Sequence, residues 1–435
     1  SVLGAGGKMG SGILLLTAME MFRLSHENPE KKNSYQLNAI DLSDESLRGV
    51  SVYLREQLRK AAEKQIVLLR ELYSQRKDLI ENAEIIDQYI LDVMQFVRPG
   101  TSIEEAIGSD LVFEAVSENP ELKVKLIREI ERSGGSDTWY LTNTSSIPIG
   151  KLDMDAGLKG RIIGFHFYNP PAVQKLVELI CSDTTLPELN DFCLEFAKNL
   201  KKKVVPSNDV AGFIGNGHFM RDILYGASEV HRLEKDYTLP QAIWMINRVT
   251  QDYLIRPMGI FQLTDYVGLD VCQFIMKVMD PYMEEENLHC ELIDRMLEQG
   301  VYGGQNPDGS QKNGFLSYDK GGVSGVWDPE NKEYIPADQI DAELTPDLGP
   351  FPGEHIPWKV LISDPEKTEK LETYFNSLSK TDTMGARLAM AYGRNSKQIG
   401  LLLVDKKVAG SIDDVNTVLL TGFFHAYGPI QDYFN

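Results

Sequence analysis

The chain has 435 residues, 42% of them hydrophobic, so it can bury a sizeable core and is long enough for two or three domains. Its formal charge of −20, with no block of lysine and arginine set against it, argues against nucleic acid and anionic membrane surfaces as partners. No apolar run reaches the roughly 20 residues that a membrane-spanning helix needs, and no secretory leader is visible.

In chain order, SVLGAGGKMGSGILLL (from Ser1) reads as a short strand, a glycine-rich turn and a helix. The strand is a stub, which implies that the natural chain begins further upstream. Gly4, Gly6, Gly7 and Gly10 suit a pyrophosphate, because only glycine lets the backbone approach so closely and a helix N-terminus adds unpaired N–H groups. The spacing is G-x-x-G-x-x-G, one residue longer than G-x-G-x-x-G, with Met9 where the last glycine would stand; any tight turn could also use it. A polar insertion, Ser25 to Ser34, leads to a second strand, Tyr35 to Asp41. Asp41 can accept hydrogen bonds from both hydroxyls of an adenosine ribose and would repel a 2′-phosphate, which favours NAD over NADP. It could equally be a strand-end turn residue.

Leu47 to Val97 reads as long amphipathic helices. Within them Arg55, Arg59, Lys60 and Lys64 share faces about one turn apart, either as a patch for a polyanion or as a solvated surface. Further strands are expected at Asp110 to Val116, Trp139 to Ser146, Gly160 to Phe167 and Lys175 to Ile180. Their alternation with helices predicts a Rossmann-type α/β domain with a mainly parallel sheet over residues 1–206, followed by all-α domains. Beyond Val210 helical patterns run from Phe213 to Glu234, Leu239 to Tyr253 and Leu269 to Gln299, giving a second domain at 207–330. Gly300 to Gly353 reads as loop and linker, and a third helical segment starts at Pro365, so that 331–435 holds the linker and the last segment. Around Ser411 the chain faintly echoes the stretch around Thr238: each runs from a hydroxyl cap through a helix to a glycine-containing turn.

The four cysteines, Cys181, Cys193, Cys272 and Cys290, form no Cys-x-x-Cys pair and no zinc spacing, so buried thiols and no metal site are expected, while the missing membrane span and leader give the expectation of a cytoplasmic setting. Of seven histidines, only His166 stands in a suggestive arrangement. It ends a buried strand in FHFYNPP, and Glu178 follows in the apolar run KLVELI, where a carboxylate needs a partner. Such a pair can fix the imidazole tautomer and stabilise the cation formed on proton uptake, or it can be a structural ion pair.

NTSS (Asn143 to Ser146), GFHFYNPPAVQKLVEL (Gly164 to Leu179), GFIGN (Gly212 to Asn216) and PMGIFQLTDYVGLD (Pro257 to Asp270) follow in that order, and over about residues 1 to 320 the chain resembles the L-3-hydroxyacyl-CoA dehydrogenase family. The resemblance implies an NAD-dependent oxidoreductase that interconverts (3S)-3-hydroxyacyl-CoA and 3-ketoacyl-CoA, as in fatty-acid β-oxidation or 3-hydroxybutyryl-CoA metabolism. It carries the catalytic roles to His166 and Glu178, substrate contacts to Ser145 and Asn216, cofactor contacts to Asn143, Asn169, Glu118 and Lys123, and a coenzyme A contact to Lys64. Some relatives carry two tandem copies of the helical domain, so the echo around Ser411 implies a second, degenerate copy and either a pseudo-dimer within one chain or a homodimer. Departures from the family pattern, Gly217 after Asn216 and Ile260 for a usual proline, bear on substrate range. Two alternatives stay open: a related dehydrogenase of a hydroxy acid without coenzyme A, and a dinucleotide-binding protein whose chemistry has lapsed.

Overall fold

Apolar strands and amphipathic helices alternate through Ser1–Asp209, the first of two units in the computed structural model, which describes residues 1–134, 137–283, 285–306, 309–320, 322–353 and 355–435. The elements of this unit are β1 (Val2–Leu3), α1 (Lys8–Glu27), β2 (Leu37–Ile40), α2 (Asp44–Lys64), α3 (Ile66–Leu72), α4 (Asn82–Met94), β3 (Val97–Gly100), β4 (Leu111–Glu114), α5 (Pro120–Gly134), β5 (Trp139–Thr142), α6 (Ile149–Ala156), β6 (Ile162–Phe167), β7 (Leu176–Cys181), α7 (Pro187–Asn199) and β8 (Lys203–Asn208). The strands form one sheet in the order β3-β2-β1-β4-β5-β6-β7-β8. Every neighbouring pair is parallel except β6 and β7. Strand order reverses direction at β1, so a crevice opens beyond the carboxyl ends of β1 and β4, where ligands of such sheets bind.

Helix α2 shows how the sequence sets these elements. Ser43 caps its first turn by accepting from Ser46 N at 3.2 Å, and Leu47, Val50, Leu54, Leu58 and Ala62 form its buried stripe. Two strands escape the sequence pattern. β3 reads Val-Arg-Pro-Gly, with Arg98 and Pro99 exposed, and lies at one sheet edge, where charge and proline block further pairing. β8, at the other edge, occupies the stretch expected only to end the domain; its Pro206 costs no hydrogen bond on an open edge.

The second unit, Val210–Asn435, comprises α8 (Phe213–Leu233), α9 (Leu239–Arg248), α10 (Ile260–Val267), α11 (Leu269–Met279), α12 (Glu291–Glu298), β9 (Leu316–Asp319), β10 (Gly322–Asp328), β11 (Glu333–Pro336), α13 (Ala337–Leu348), α14 (Trp358–Leu361), α15 (Lys367–Leu378), α16 (Met384–Asp405) and α17 (Ile412–Gly422). Its buried core runs from Ala211 and Met220 through Ile246 and Phe315 to Phe375, Ala389 and Phe434, so the expected second and third segments share one core.

The expected linker at Gly300 to Gly353 is corrected: it contains the antiparallel sheet β11-β10-β9 and the helix α13. Its glycines hid apolar residues such as Phe315, Leu316, Val326, Ile340 and Leu344, which are buried. Asp265 anchors the start of this sheet, accepting from Phe315 N at 2.7 Å, Leu316 N at 2.9 Å and the Tyr318 hydroxyl at 2.8 Å. Pro307, Asp308 and Gly321 of that stretch, and Glu284 of the expected helix Leu269 to Gln299, lie outside the described residues. Cys181 is likewise corrected: it is exposed at the end of β7, whereas Cys193, Cys272 and Cys290 are buried.

Candidate active site

The glycine turn joins β1 to α1 on the switch-point side of the sheet. Gly4 has φ +74°, and a Cβ there would lie 2.5 Å from Ala115 O on the neighbouring strand's exit. Gly10 is tighter still, since its Cβ would sit 2.0 Å from Gly4 O. The extra residue is absorbed by a closed turn, Gly7 N to Gly4 O at 3.0 Å, and α1 starts at Lys8 with Gly7 as its uncapped N-terminal residue. Asp41, just past β2, accepts from Gly6 N at 2.8 Å through Oδ2 and from Ser43 N at 3.3 Å through Oδ1. A narrow backbone cradle, a helix N-terminus and a carboxylate at the second strand's end are the parts that a dinucleotide's pyrophosphate and ribose require.

Next to this crevice lies a buried ionic cluster. The Lys123 ammonium meets Glu114 at 2.7 and 2.9 Å and Glu118 at 3.2 Å. Glu114, the last residue of β4, also accepts from the Thr142 hydroxyl at 2.6 Å and Val116 N at 2.8 Å. Glu118 organises the NTSS loop: its Oε1 accepts from the Thr144 hydroxyl at 2.6 Å, Ser145 N at 2.8 Å, Ser146 N at 3.1 Å and the Ser146 hydroxyl at 2.9 Å. Burial opposes the charge of Glu118, but Lys123 and these donors outweigh it and hold the carboxyl below its ordinary range. Lys123 is 1% exposed, so what it offers the site is the orientation of Glu118.

His166 and Glu178 are directly opposed in the antiparallel pair β6·β7, with His166 Nδ1 3.4 Å from Glu178 Oε1. Glu178 is fully buried and also accepts the Tyr168 hydroxyl at 2.6 Å. Asn143 ties the two halves of the site together, its Oδ1 accepting from Phe167 N at 2.9 Å. The loop bearing Asn169 is clamped by Lys202, whose ammonium donates to Pro171 O at 2.5 Å and Gln174 O at 2.6 Å; burial lowers its pKa to about 8.

Within the first unit, the glycine turn, Asp41, Glu118, Asn143, Ser145 and Asn169 follow the ends of β1, β2, β4, β5 and β6, His166 lies near the end of β6, Glu178 lies within β7, and Lys123 lies in the first turn of α5. Lys64 does not join them. It is exposed in the last turn of α2, whose 21 residues put it about 30 Å along the helix from Asp41, and the nearby Arg59 pairs with Asp87 at 2.8 Å. Asn216 lies in the second unit, in the first turn of α8. Two residues escaped the sequence reading. Glu114 carries the same signal that marked Glu178, a carboxylate inside an apolar strand. Tyr168 carries none, because a tyrosine beside an apolar run reads as core.

Residues 1–210 match the family model described as 3-hydroxyacyl-CoA dehydrogenase, NAD binding domain, and residues 212–313 match 3-hydroxyacyl-CoA dehydrogenase, C-terminal domain. Human mitochondrial hydroxyacyl-coenzyme A dehydrogenase is 26% identical over 310 residues, covering 71% of this chain and 88% of its own. A probable 3-hydroxybutyryl-CoA dehydrogenase of Bacillus subtilis is 28% identical over 254 residues, covering 58% of this chain and 84% of its own. The crystal structure of FadB2 from M. tuberculosis is similar with TM-score 0.54 and 25% identity, over 73% of this chain and 98% of that one. The 3-hydroxybutyryl-CoA dehydrogenase structure from Escherichia coli shares the fold at TM-score 0.63 and 21% identity, over 99% of this chain and 89% of that one, so the likeness extends through the C-terminal helices.

Proposed function

Because the chain belongs to the 3-hydroxyacyl-CoA dehydrogenase family, we propose that His166, braced by Glu178, is the acid/base of the NAD-dependent interconversion of 3-hydroxyacyl-CoA and 3-ketoacyl-CoA. The single observation that carries the residue assignment is the facing pair His166–Glu178 in the unit that also holds the glycine turn and the NTSS loop. Bound NAD supplies the hydride acceptor. The backbone at Gly4, Gly6, Gly7 and Gly10 would hold its pyrophosphate, Asp41 its ribose, and Glu118, Asn143 and Asn169 its nicotinamide half, with Lys123 fixing Glu118.

His166 takes the proton of the 3-hydroxyl as the carbonyl forms, and Glu178 stabilises the imidazolium by its charge. Ser145 orients the substrate oxygen, and Asn216 is the second residue assigned to that oxygen by the family motif. In the reverse direction the imidazolium returns the proton to the reduced ketone, a (3S)-alcohol by family stereochemistry. Lys64 is assigned to the coenzyme A portion.

NADH oxidation with acetoacetyl-CoA against free acetoacetate tests the substrate class. The ester is expected to be turned over about 100-fold or more better in kcat/KM, because binding energy from the remote carrier is used at the reacting carbon. Equal turnover of the free acid would favour the dehydrogenase reading without coenzyme A.

For the C-terminal segment we propose a degenerate second copy of the helical domain that covers the face a partner subunit would otherwise occupy. It is supported by the packing of α16 on α8: the Tyr392 hydroxyl donates to Asp222 O at 2.8 Å, and Leu403 abuts Gly217. The full chain is then expected to sediment as a monomer, and deletion from Asp364 onward to aggregate or dimerise through the exposed core. A soluble, monomeric and equally stable truncation would end the idea. No helix among the described residues is long and apolar enough to cross a membrane; the cytoplasmic location proposed from the sequence is tested by imaging the tagged protein.

A further inference from the structure

The carboxylate of Glu178 has two claimants. Its Oε1 atom lies 3.4 Å from His166 Nδ1 and accepts the Tyr168 hydroxyl at 2.6 Å, within the range of a charge-assisted O–H···O⁻ bond. The two rings lie side by side, centroids 4.9 Å apart and inclined by 41°. We propose that Tyr168 is a positioning residue of the catalytic pair: its hydroxyl pins the Glu178 oxygen that faces His166 and takes up part of the carboxylate's charge. The proposal rests on His166 being the acid/base.

The direction of the effect follows from the electrostatics. A carboxylate beside an imidazole favours the imidazolium and raises its pKa, whereas a hydrogen bond donated to that carboxylate weakens the pull. Burial, and then the charge of Glu178, push the phenol far above its ordinary pKa, so Tyr168 stays a donor throughout the working range.

No other titratable group is needed to produce this bond. Opposite Glu178, β8 presents Val205. On the face of β6 shared by Gly164 and His166, α6 packs through Ile149. The charged groups of α6 have partners of their own: Lys151 pairs with Asp155 at 2.9 Å, and Asp153 accepts from Gly160 N at 2.9 Å and the Thr184 hydroxyl at 2.6 Å. Asp209, at the end of that helix, accepts from Ile149 N and Gly150 N.

The test is Tyr168→Phe in the full chain, which keeps the ring and removes only the hydroxyl. Two readouts are compared with the parent: the titration of His166, followed by NMR of isotope-labelled histidine and assigned with His166→Gln, and the acid limb of kcat/KM for 3-hydroxybutyryl-CoA oxidation. Both are expected to move up by about one pH unit, the size expected for one lost hydrogen bond to a charged group. The rate on the alkaline plateau should change less than about threefold, since the neutral imidazole is fully populated there. In a Glu178→Gln background the same substitution is expected to shift neither, because the charge it modulates is gone.

An unmoved His166 titration in Tyr168→Phe, or an equal shift in the Gln background, would overturn the proposal. A shifted titration with an unmoved activity limb would uphold the contact and overturn His166 as the base, so the two failures are distinguishable.

Discussion

His166→Gln is expected to lower turnover of acetoacetyl-CoA with NADH by about a thousandfold or more, within the range for loss of a positioned acid/base, while NADH binding changes little. Glutamine is close in size and polar, so it can fill the space at the end of β6 opposite Glu178 without opening a cavity there. What it cannot do is carry a proton between water and the substrate oxygen at neutral pH. The glycine turn and Asp41 are separate from this strand, so the cradle proposed for the dinucleotide is left as it was. Cofactor affinity measured by NADH fluorescence, set beside kcat, separates the two roles. Turnover within tenfold of the parent would remove His166 from the chemistry and leave the pair as an internal ion pair.

Arg256→Leu is expected to destabilise the second unit by about 3 to 5 kcal/mol, the cost typical of stripping one partner from a buried ion pair. Arg256 and Asp222 side chains are 6% and 5% exposed, and Arg256 Nη1 lies 2.7 Å from Asp222 Oδ2. The guanidinium also donates to the Ser396 hydroxyl at 3.1 Å and sits over the Tyr392 ring at 5.4 Å, while His218 approaches the same serine at 3.2 Å. The network thus joins α8 to α16, and without the cation Asp222 keeps a charge that water cannot reach. Adding Asp222→Leu should restore a large part of the loss, because an apolar pair carries no desolvation penalty. The check is the denaturant midpoint of the three variants; a loss below about 1 kcal/mol for Arg256→Leu would show that solvent or a neighbouring group rescues the charge.

This network also marks a limit of reading histidines by sequence. His218 and His425 stand in no motif, yet both are buried beside Arg256, and burial lowers the pKa of each. His166 was legible because it ends an apolar strand and has a carboxylate in the next one. Glu114 was overlooked although DLVFEAV carries the same anomaly, and only the bond to Lys123 explains why that lysine and Glu118 fall where they do. The sheet β11-β10-β9 was overlooked because its glycines read as loop: at Gly325 a side chain would strike Ile335 O at 2.9 Å, so close strand packing requires the very residue that signals disorder in a sequence.

From the amino-acid order alone come the α/β unit followed by a helical one, the glycine turn with its acidic partner, and the His166–Glu178 pair. These depend on local periodicity and on residues whose chemistry is costly to bury, and both are visible one stretch at a time. Tertiary structure alone decided which carboxylate each buried cation meets, that Tyr168 shares the oxygen facing His166, and that the second and third helical segments share one core. Those outcomes are set by contacts between side chains far apart in the chain, where geometry of a few ångströms selects the partner and no spacing in the sequence records the choice.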